Sequence, residues 1–176
     1  VRSIEFVFNR FNQEHQRQFE IKPLLLELIH KAESSVYMEM AYLGDPDITA
    51  AIVQAAAKGV TVTILASREA NVGNDLNYRV LNEIYEKASI NLHLSKSMIH
   101  SKLTLVDDTI AFFGSANASV FSMQKAVEFN LLVQDQPIFI EHLRDLIAKR
   151  LDASQRITDG KEILSFRSWL ASLQQF

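Results

Sequence analysis

The chain has 176 residues, of which 18 are Lys or Arg and 21 are Asp or Glu, so its formal net charge is −3. Hydrophobic residues make up 48% and charged residues 22%, which is typical of a folded domain and argues against intrinsic disorder. The absence of cysteine excludes a disulfide scaffold, a cysteine metal site and a cysteine nucleophile. The charge argues against a uniformly basic nucleic-acid binder but leaves a local basic cleft open.

Neither a membrane span nor a secretory leader is predicted. No apolar run reaches the roughly 18 residues that a span requires, since the longest, residues 48–66, is interrupted by Gln54, Lys58 and Gly59. Residues 1–20 are charged and lack the apolar segment of a signal peptide. We expect a protein that is soluble or peripheral to a membrane. The compartment stays open, with the bacterial cytoplasm or the cytoplasmic membrane face as the expectation.

The first half of the chain alternates between strand and helix patterns. Pro23 suits the first turn of a helix, and Gly59 suits the end of the second helix. Asp47 is a plausible N-cap for that second helix. A helix, a glycine and then a β-branched strand are typical of a β-α-β crossover. The predicted elements are a strand at 4–8, a polar loop at 12–18, helices at 21–33 and 48–58, and strands at 36–42 and 60–65.

The second half predicts a further helix, a hairpin and a long amphipathic helix. Its elements are a loop at 71–74, a helix at 75–88, a strand at 90–94, a hairpin of 99–106 with 110–113, a short turn or helix at 119–123, a strand at 128–134, a helix at 137–151 and a last short helix at 164–174. Together they indicate one α/β domain over 1–176, with a mixed β-sheet flanked by helices on both faces. Phe112, Phe113 and Phe129 are assigned to its core.

His100 is the histidine with a candidate chemical role. It lies two residues from Lys102 on a predicted strand, so both side chains should share one face. The lysine attracts a phosphate oxygen and disfavours the imidazolium, which keeps the histidine neutral and nucleophilic. The other four histidines have ordinary structural interpretations: His15 in a polar loop, His30 and His142 in helices, and His93 on a strand.

Further polar residues follow the hairpin. Gly114 lets the backbone approach a bound group closely. Ser115 and Asn117 are two apart and can donate hydrogen bonds to an anionic oxygen in one direction. Asp107 lies near the hairpin turn, and Glu128 opens the next strand, where it could hold a histidine by a hydrogen bond.

Residues 100–117, HSKLTLVDDTIAFFGSAN, have the pattern His-x-Lys-x4-Asp-x6-Gly-Ser-x-Asn, which resembles the signature of the phospholipase D superfamily at all six fixed positions. The resemblance implies a half-domain of that fold and a phosphohistidine intermediate, with His100 as one of two facing histidines, of which one attacks phosphorus and the other protonates the leaving oxygen. It implies that His100, Lys102, Ser115 and Asn117 bind the phosphate and that Asp107 is mainly a structural and electrostatic support. Glu128 would orient the histidine of a facing motif. Neither a metal nor another cofactor is expected.

The superfamily mechanism uses two histidines from two motifs, and this sequence contains one motif. The expected partner is therefore a second His-x-Lys-x4-Asp half. It would come from a homodimer with an isologous interface or from the other half of a longer chain.

The substrate stays open between two classes. The apolar run at 110–117 and the tail at 154–157 and 163–173 resemble cardiolipin synthase-like and phospholipase D-like two-motif enzymes, which favours hydrolysis or transfer of phospholipid headgroups. The alternative is a metal-independent endonuclease or phosphodiesterase on DNA or RNA, because Ala41-Tyr42 followed by Pro46-Asp47-Ile48 resembles single-motif dimeric endonucleases. The basic residues available to it are few: Arg68, Arg79, Lys87, Lys96, Lys102 and Lys125. A minor alternative, an inactive lipid-binding module, predicts a lost motif residue, and none is lost.

Overall fold

A single mixed sheet forms the centre of the molecule. The computed structural model describes residues 4–68 and 74–163, and in these ranges nine strands run in the order β2-β1-β8-β7-β6-β3-β4-β5-β9. β3, β4 and β5 are parallel, and the remaining neighbours are antiparallel. The strands are β1 (Ile4–Phe11), β2 (Arg17–Phe19), β3 (Ser35–Met40), β4 (Thr61–Ser67), β5 (Asn91–Ser95), β6 (Lys102–Val106), β7 (Ile110–Gly114), β8 (Glu128–Val133) and β9 (Gln155–Arg156).

Helices cover both faces of this sheet, which confirms the predicted fold class. The larger apolar core lies between the sheet and the first three helices, and the smaller one lies under the last helix. The helices are α1 (Ile21–Lys31), α2 (Pro46–Ala57), α3 (Asn74–Lys87), α4 (Val120–Gln124) and α5 (Pro137–Asp152).

The predicted β-α-β crossover is present, with one correction at its helix. β3 and β4 pair in parallel around α2, and Gly59 takes φ +91° directly after the helix. The N-cap is Asp45 and not Asp47. The Asp45 carboxylate accepts hydrogen bonds from the backbone N–H groups of Asp47 (3.1 Å) and Ile48 (3.3 Å). Pro46 occupies the first helical position, where its missing N–H removes no helical hydrogen bond, so the cap moves to the preceding residue.

Two edge strands do not follow from the sequence pattern. Residues 12–18 are not wholly a loop: Asn12 accepts hydrogen bonds from the backbone N–H groups of Glu14 (3.0 Å) and Gln16 (2.8 Å), and this turn returns the chain as β2. β9 pairs with β5 at the opposite edge. Both strands are short and partly exposed, so they lack the apolar alternation by which a strand is recognised.

The hairpin of β6 and β7 turns at Asp107 and Asp108. Both take positive φ, +50° and +55°, and the Thr109 N–H donates to the Val106 carbonyl at 3.0 Å. Two central residues with positive φ define the tight hairpin turn that matches strand twist. β6 itself is shorter than predicted, so residues 99–101 precede the strand.

One core assignment is wrong. Phe112 is buried and Phe113 is half-buried, but Phe129 is 47% exposed. Phe129 lies near the start of β8 and belongs to neither apolar core. The predicted helix at 164–174 and most of the loop at 71–74 lie outside the described residues.

Candidate active site

Sheet register brings separated parts of the motif to one place, which we call the motif edge: the end of the sheet where β6 begins at Lys102, β7 ends at Gly114 and β8 begins at Glu128. Lys102 pairs with Met40, and Gly114 pairs with Asn130. Thus His100, Lys102, Ser115, Asn117 and Glu128 all lie at or beside this edge.

His100 and Lys102 are adjacent, as the spacing predicts. The Lys102 ammonium donates to the His100 carbonyl at 2.6 Å and lies 3.3 Å from His100 Nδ1. The Lys102 residue is 6% exposed, whereas His100 is exposed. Burial lowers the pKa of the Lys102 ammonium, and the Glu128 carboxylate partly opposes that shift. The site therefore combines a sheltered cation with an imidazole that solvent or a ligand can reach.

Ser115 and Glu128 form the other side of the site. The Ser115 hydroxyl donates to Glu128 Oε2 at 2.5 Å and accepts from the Phe129 N–H at 3.0 Å. Gly114 makes this close approach possible. A Cβ there would lie 2.3 Å from the Phe129 carbonyl oxygen and 2.5 Å from Asn130 Oδ1, which a real side chain cannot do. Packing against β8 therefore requires glycine at position 114, independently of whether a bound group also approaches the backbone there.

Asn117 has an unpaired polar atom. Its Oδ1 is buried and has no hydrogen-bond partner among the described residues. The chain after it is fixed, because the Gly44 and Asp45 N–H groups donate to the Ala118 carbonyl at 2.8 and 3.0 Å. The part of this side chain that can donate to a phosphate oxygen is its NH₂ group, which leaves the buried oxygen to accept from another donor.

Two buried asparagines that the sequence analysis missed support the loop after β7. Asn130 Oδ1 accepts from the Ala116 N–H at 3.3 Å. The Asn9 amide donates to the Ser122 carbonyl at 3.0 Å and accepts from the Ile21 N–H at 3.2 Å. The available signal was a polar residue inside an otherwise apolar strand, which needs a buried partner.

Asp107 is not part of the motif edge. It follows β6 at the far end, five residue steps after Lys102, which is roughly 16 Å along a strand. Its carboxylate accepts from the N–H groups of Glu33 (3.0 Å), Ser34 (2.7 Å) and Ser35 (2.9 Å). Burial raises the pKa of Asp107, but the hydrogen bonds from Ser35, Glu33 and Ser34 outweigh it, so that pKa is lowered. This placement fits the supporting role.

The basic residues near the site are limited. Lys96 and Lys125 are exposed in the segments that flank the motif edge. Lys87 is paired with Glu83 at 2.5 Å on α3. Within residues 4–68 and 74–163, no three His, Cys, Asp or Glu side chains are grouped as metal ligands would be. Nor does any helix in those ranges combine the length and apolar character needed to cross a membrane.

Comparisons with known proteins give a consistent result. The family model "Cardiolipin synthase, PLD-like domain" matches residues 25–150. A phospholipase D from Rickettsia typhi is 25% identical over 134 residues, which cover 74% of this chain and 63% of that protein. Cardiolipin synthase A from Buchnera aphidicola is 27% identical over 152 residues, covering 85% of this chain and 31% of that protein. The chain therefore spans less than two thirds of the length of these relatives.

The fold is also found in solved structures. Nuc, a phospholipase D family member from Salmonella typhimurium, superposes with a TM-score of 0.75 at 23% identity, over 89% of this chain and 99% of that one. A phosphatidylserine synthase from Haemophilus influenzae gives a TM-score of 0.77 at 12% identity, over 98% of this chain and 46% of that one. With the family model covering well over half of the sequence, the chain belongs to the cardiolipin synthase, PLD-like domain family of the phospholipase D superfamily.

Proposed function

We propose that this chain provides one half of a phosphodiesterase or phosphatidyltransferase site and acts through a phosphohistidine on His100. The observation that carries the proposal is the exposed His100 imidazole with the sheltered Lys102 ammonium 3.3 Å from its Nδ1. The pair offers a nucleophile and a fixed cation at one point, which a phosphodiester requires. Family membership supports the same chemistry.

The arrangement assigns a role to each side chain. Neutral His100 attacks phosphorus through the ring nitrogen that carries no proton. A P–N bond forms, the P–O bond to the leaving group breaks, and a second imidazole gives that oxygen a proton. Water or an alcohol, deprotonated by that imidazole, then attacks phosphorus and frees His100. Lys102, Ser115 and Asn117 hold the phosphate oxygens where negative charge develops.

The proposed second imidazole comes from a second half, either a second copy of this chain or another part of a longer protein. Residues 1–176 would then form one half carrying the single motif, and Glu128 would orient the partner's histidine. Mixing wild type with His100→Ala under subunit exchange tests the homodimer. If each site needs two His100 residues, activity falls with the square of the wild-type fraction, whereas a one-histidine site gives a linear fall. An inactive, strictly monomeric wild-type chain would instead point to the longer protein.

We propose a phospholipid headgroup as the substrate. Relatives named phospholipase D and cardiolipin synthase support this choice. So do exposed apolar side chains that follow or flank the motif residues, namely Met98, Val120, Phe121, Val127 and Phe129. Solvent-facing groups of this kind suit contact with a lipid surface better than contact with a polyanion.

A nucleic-acid substrate is the second candidate. It is favoured by the likeness to Nuc over 99% of that chain and by the exposed Lys96 and Lys125. Two parallel assays on one preparation separate the two substrate classes. One uses phosphatidylglycerol or phosphatidylcholine vesicles, and the other uses single-stranded or plasmid DNA. His100→Ala is the control in both. Lipid turnover that His100→Ala abolishes supports the first choice. DNA cleavage alone, weakening steeply with added salt, would replace it with the second.

A further inference from the structure

A buried carboxylate lies directly behind the His100–Lys102 segment. Glu39 is the next-to-last residue of β3 and is 0% exposed. Its backbone position is opposite Leu103 on β6. A buried carboxylate is strongly unfavourable unless it is paired and hydrogen-bonded, so its partners are expected to be structurally important.

Three side chains satisfy this carboxylate. The Tyr37 hydroxyl donates to Oε2 at 2.8 Å. The Ser101 hydroxyl and the Arg150 guanidinium, from α5, both donate to Oε1. Burial and the neighbouring Glu39 charge raise the pKa of Tyr37, so its phenol stays protonated and remains a donor.

Ser101 connects this cluster to the site because it lies between His100 and Lys102. Its hydroxyl donates to Glu39 and accepts from Arg150 Nη1 at 3.2 Å, so both of its hydrogen-bonding roles are filled. The Ser101 side chain thus faces Glu39 and α5, whereas the Lys102 side chain contacts His100. On the other flank of His100, the Ile99 N–H donates to the buried Ser67 hydroxyl at 2.6 Å.

We propose that Glu39, Arg150 and Ser101 are positioning residues that fix the backbone of residues 100–102 and thereby the angle at which the His100 imidazole meets phosphorus. His100 itself lies outside β6, so strand hydrogen bonds do not hold it, and the Ser101 anchor supplies what the strand does not. The inference rests on the proposed role of His100 as the reacting group. Its effect would appear in the chemical step, because small displacements of a nucleophile lower the rate far more than they weaken binding.

The test compares Ser101→Ala with Ser97→Ala and Ser101→Thr. Ser97 is an exposed serine in the same loop and serves as the matched control. Turnover of bis(4-nitrophenyl) phosphate is measured for kcat and KM, and amide exchange of residues 100–103 is followed by NMR. We expect Ser101→Ala to lower kcat about tenfold or more with KM changed less than about twofold. Amide exchange should be faster at 100–103 in this variant only.

Ser101→Thr keeps the hydroxyl and should recover most of kcat. Glu39→Gln, if it folds, should lower kcat as Ser101→Ala does. The double variant should have a kcat little lower than either single variant, because both substitutions break the same Ser101–Glu39 contact. Wild-type kcat and unchanged amide exchange in Ser101→Ala would overturn the inference. If a wild-type dimer does not turn over a phosphodiester, the proposed function fails; if an inactive wild type is monomeric, its second half is missing. In both cases amide exchange alone still decides whether Ser101 fixes the segment.

Discussion

Replacing Asp107 by Asn separates a structural role from a catalytic one. The carboxylate accepts four hydrogen bonds, from the N–H groups of Glu33, Ser34 and Ser35 and from the Ser34 hydroxyl at 2.9 Å. Asn removes the charge from all four and turns an NH₂ group toward one N–H. Asn tolerates positive φ as well as Asp does, so the φ of +50° adds no strain.

The expected loss follows from those contacts. A hydrogen bond to a charged group contributes about 1.5–3 kcal/mol, and part of this is screened because the site is partly exposed. We expect Asp107→Asn to lower the free energy of unfolding by about 2 kcal/mol in urea titrations. For a chain of this size that is a fall of about 4–8 °C in Tm. Asp108→Asn is the control, since Asp108 is exposed and only loosely paired with Arg144 at 3.8 Å.

The difference in the free energy of unfolding between wild type and Asp107→Asn should also depend on pH. Because the hydrogen bonds to Asp107 hold its folded-state pKa below the ordinary value of an aspartate, the carboxylate stabilises the protein fully above that ordinary value. The stabilisation is lost as the pH falls through the folded-state pKa, so wild type and Asp107→Asn should converge in strongly acidic buffer. Well below the unfolding temperature, kcat/KM of Asp107→Asn should stay within about threefold of wild type, since the residue lies roughly 16 Å from Lys102. A tenfold loss of activity with unchanged stability would refute the supporting role.

Three further outcomes are expected. Gly114→Ala should lower the free energy of unfolding by about 2–3 kcal/mol, because its Cβ would meet the β8 backbone. The control Gly44→Ala should be nearly neutral, because a Cβ at Gly44 would have nothing within 4 Å. Equal calorimetric midpoints for the two variants would contradict the packing role of Gly114. Thr104→Val removes a buried hydroxyl that has no partner among the described residues and should stabilise the chain by up to about 1 kcal/mol in urea titrations; a loss would reveal a missed partner. Activity should persist in EDTA, because every group in the proposed step is a protein side chain; inhibition reversed by added metal would overturn that mechanism.

Much of the fold follows from local pattern. The helix, glycine and β-branched strand at 48–65 fix a parallel crossover, because a helix must pack back on the sheet it leaves. The exposed edge strands did not follow, because they are too short to show apolar alternation. The cap at Asp45 did not follow either, because the pattern does not distinguish Asp45 from Asp47 as the capping residue. Phe129 shows the same limit: its apolar character predicts burial, but the fold leaves it 47% exposed.

The sequence by itself predicted the chemistry proposed for this protein, because the motif spacing identifies the residues concerned and places His100 beside Lys102 through local geometry. Only the tertiary structure decided how those groups are distributed. Sheet register joins Lys102, Ser115 and Glu128 at one edge and sends Asp107 to the other. It also places Glu39 behind Ser101, at a sequence distance of 62 residues. Such contacts depend on strand pairing across the whole chain, which no local spacing encodes.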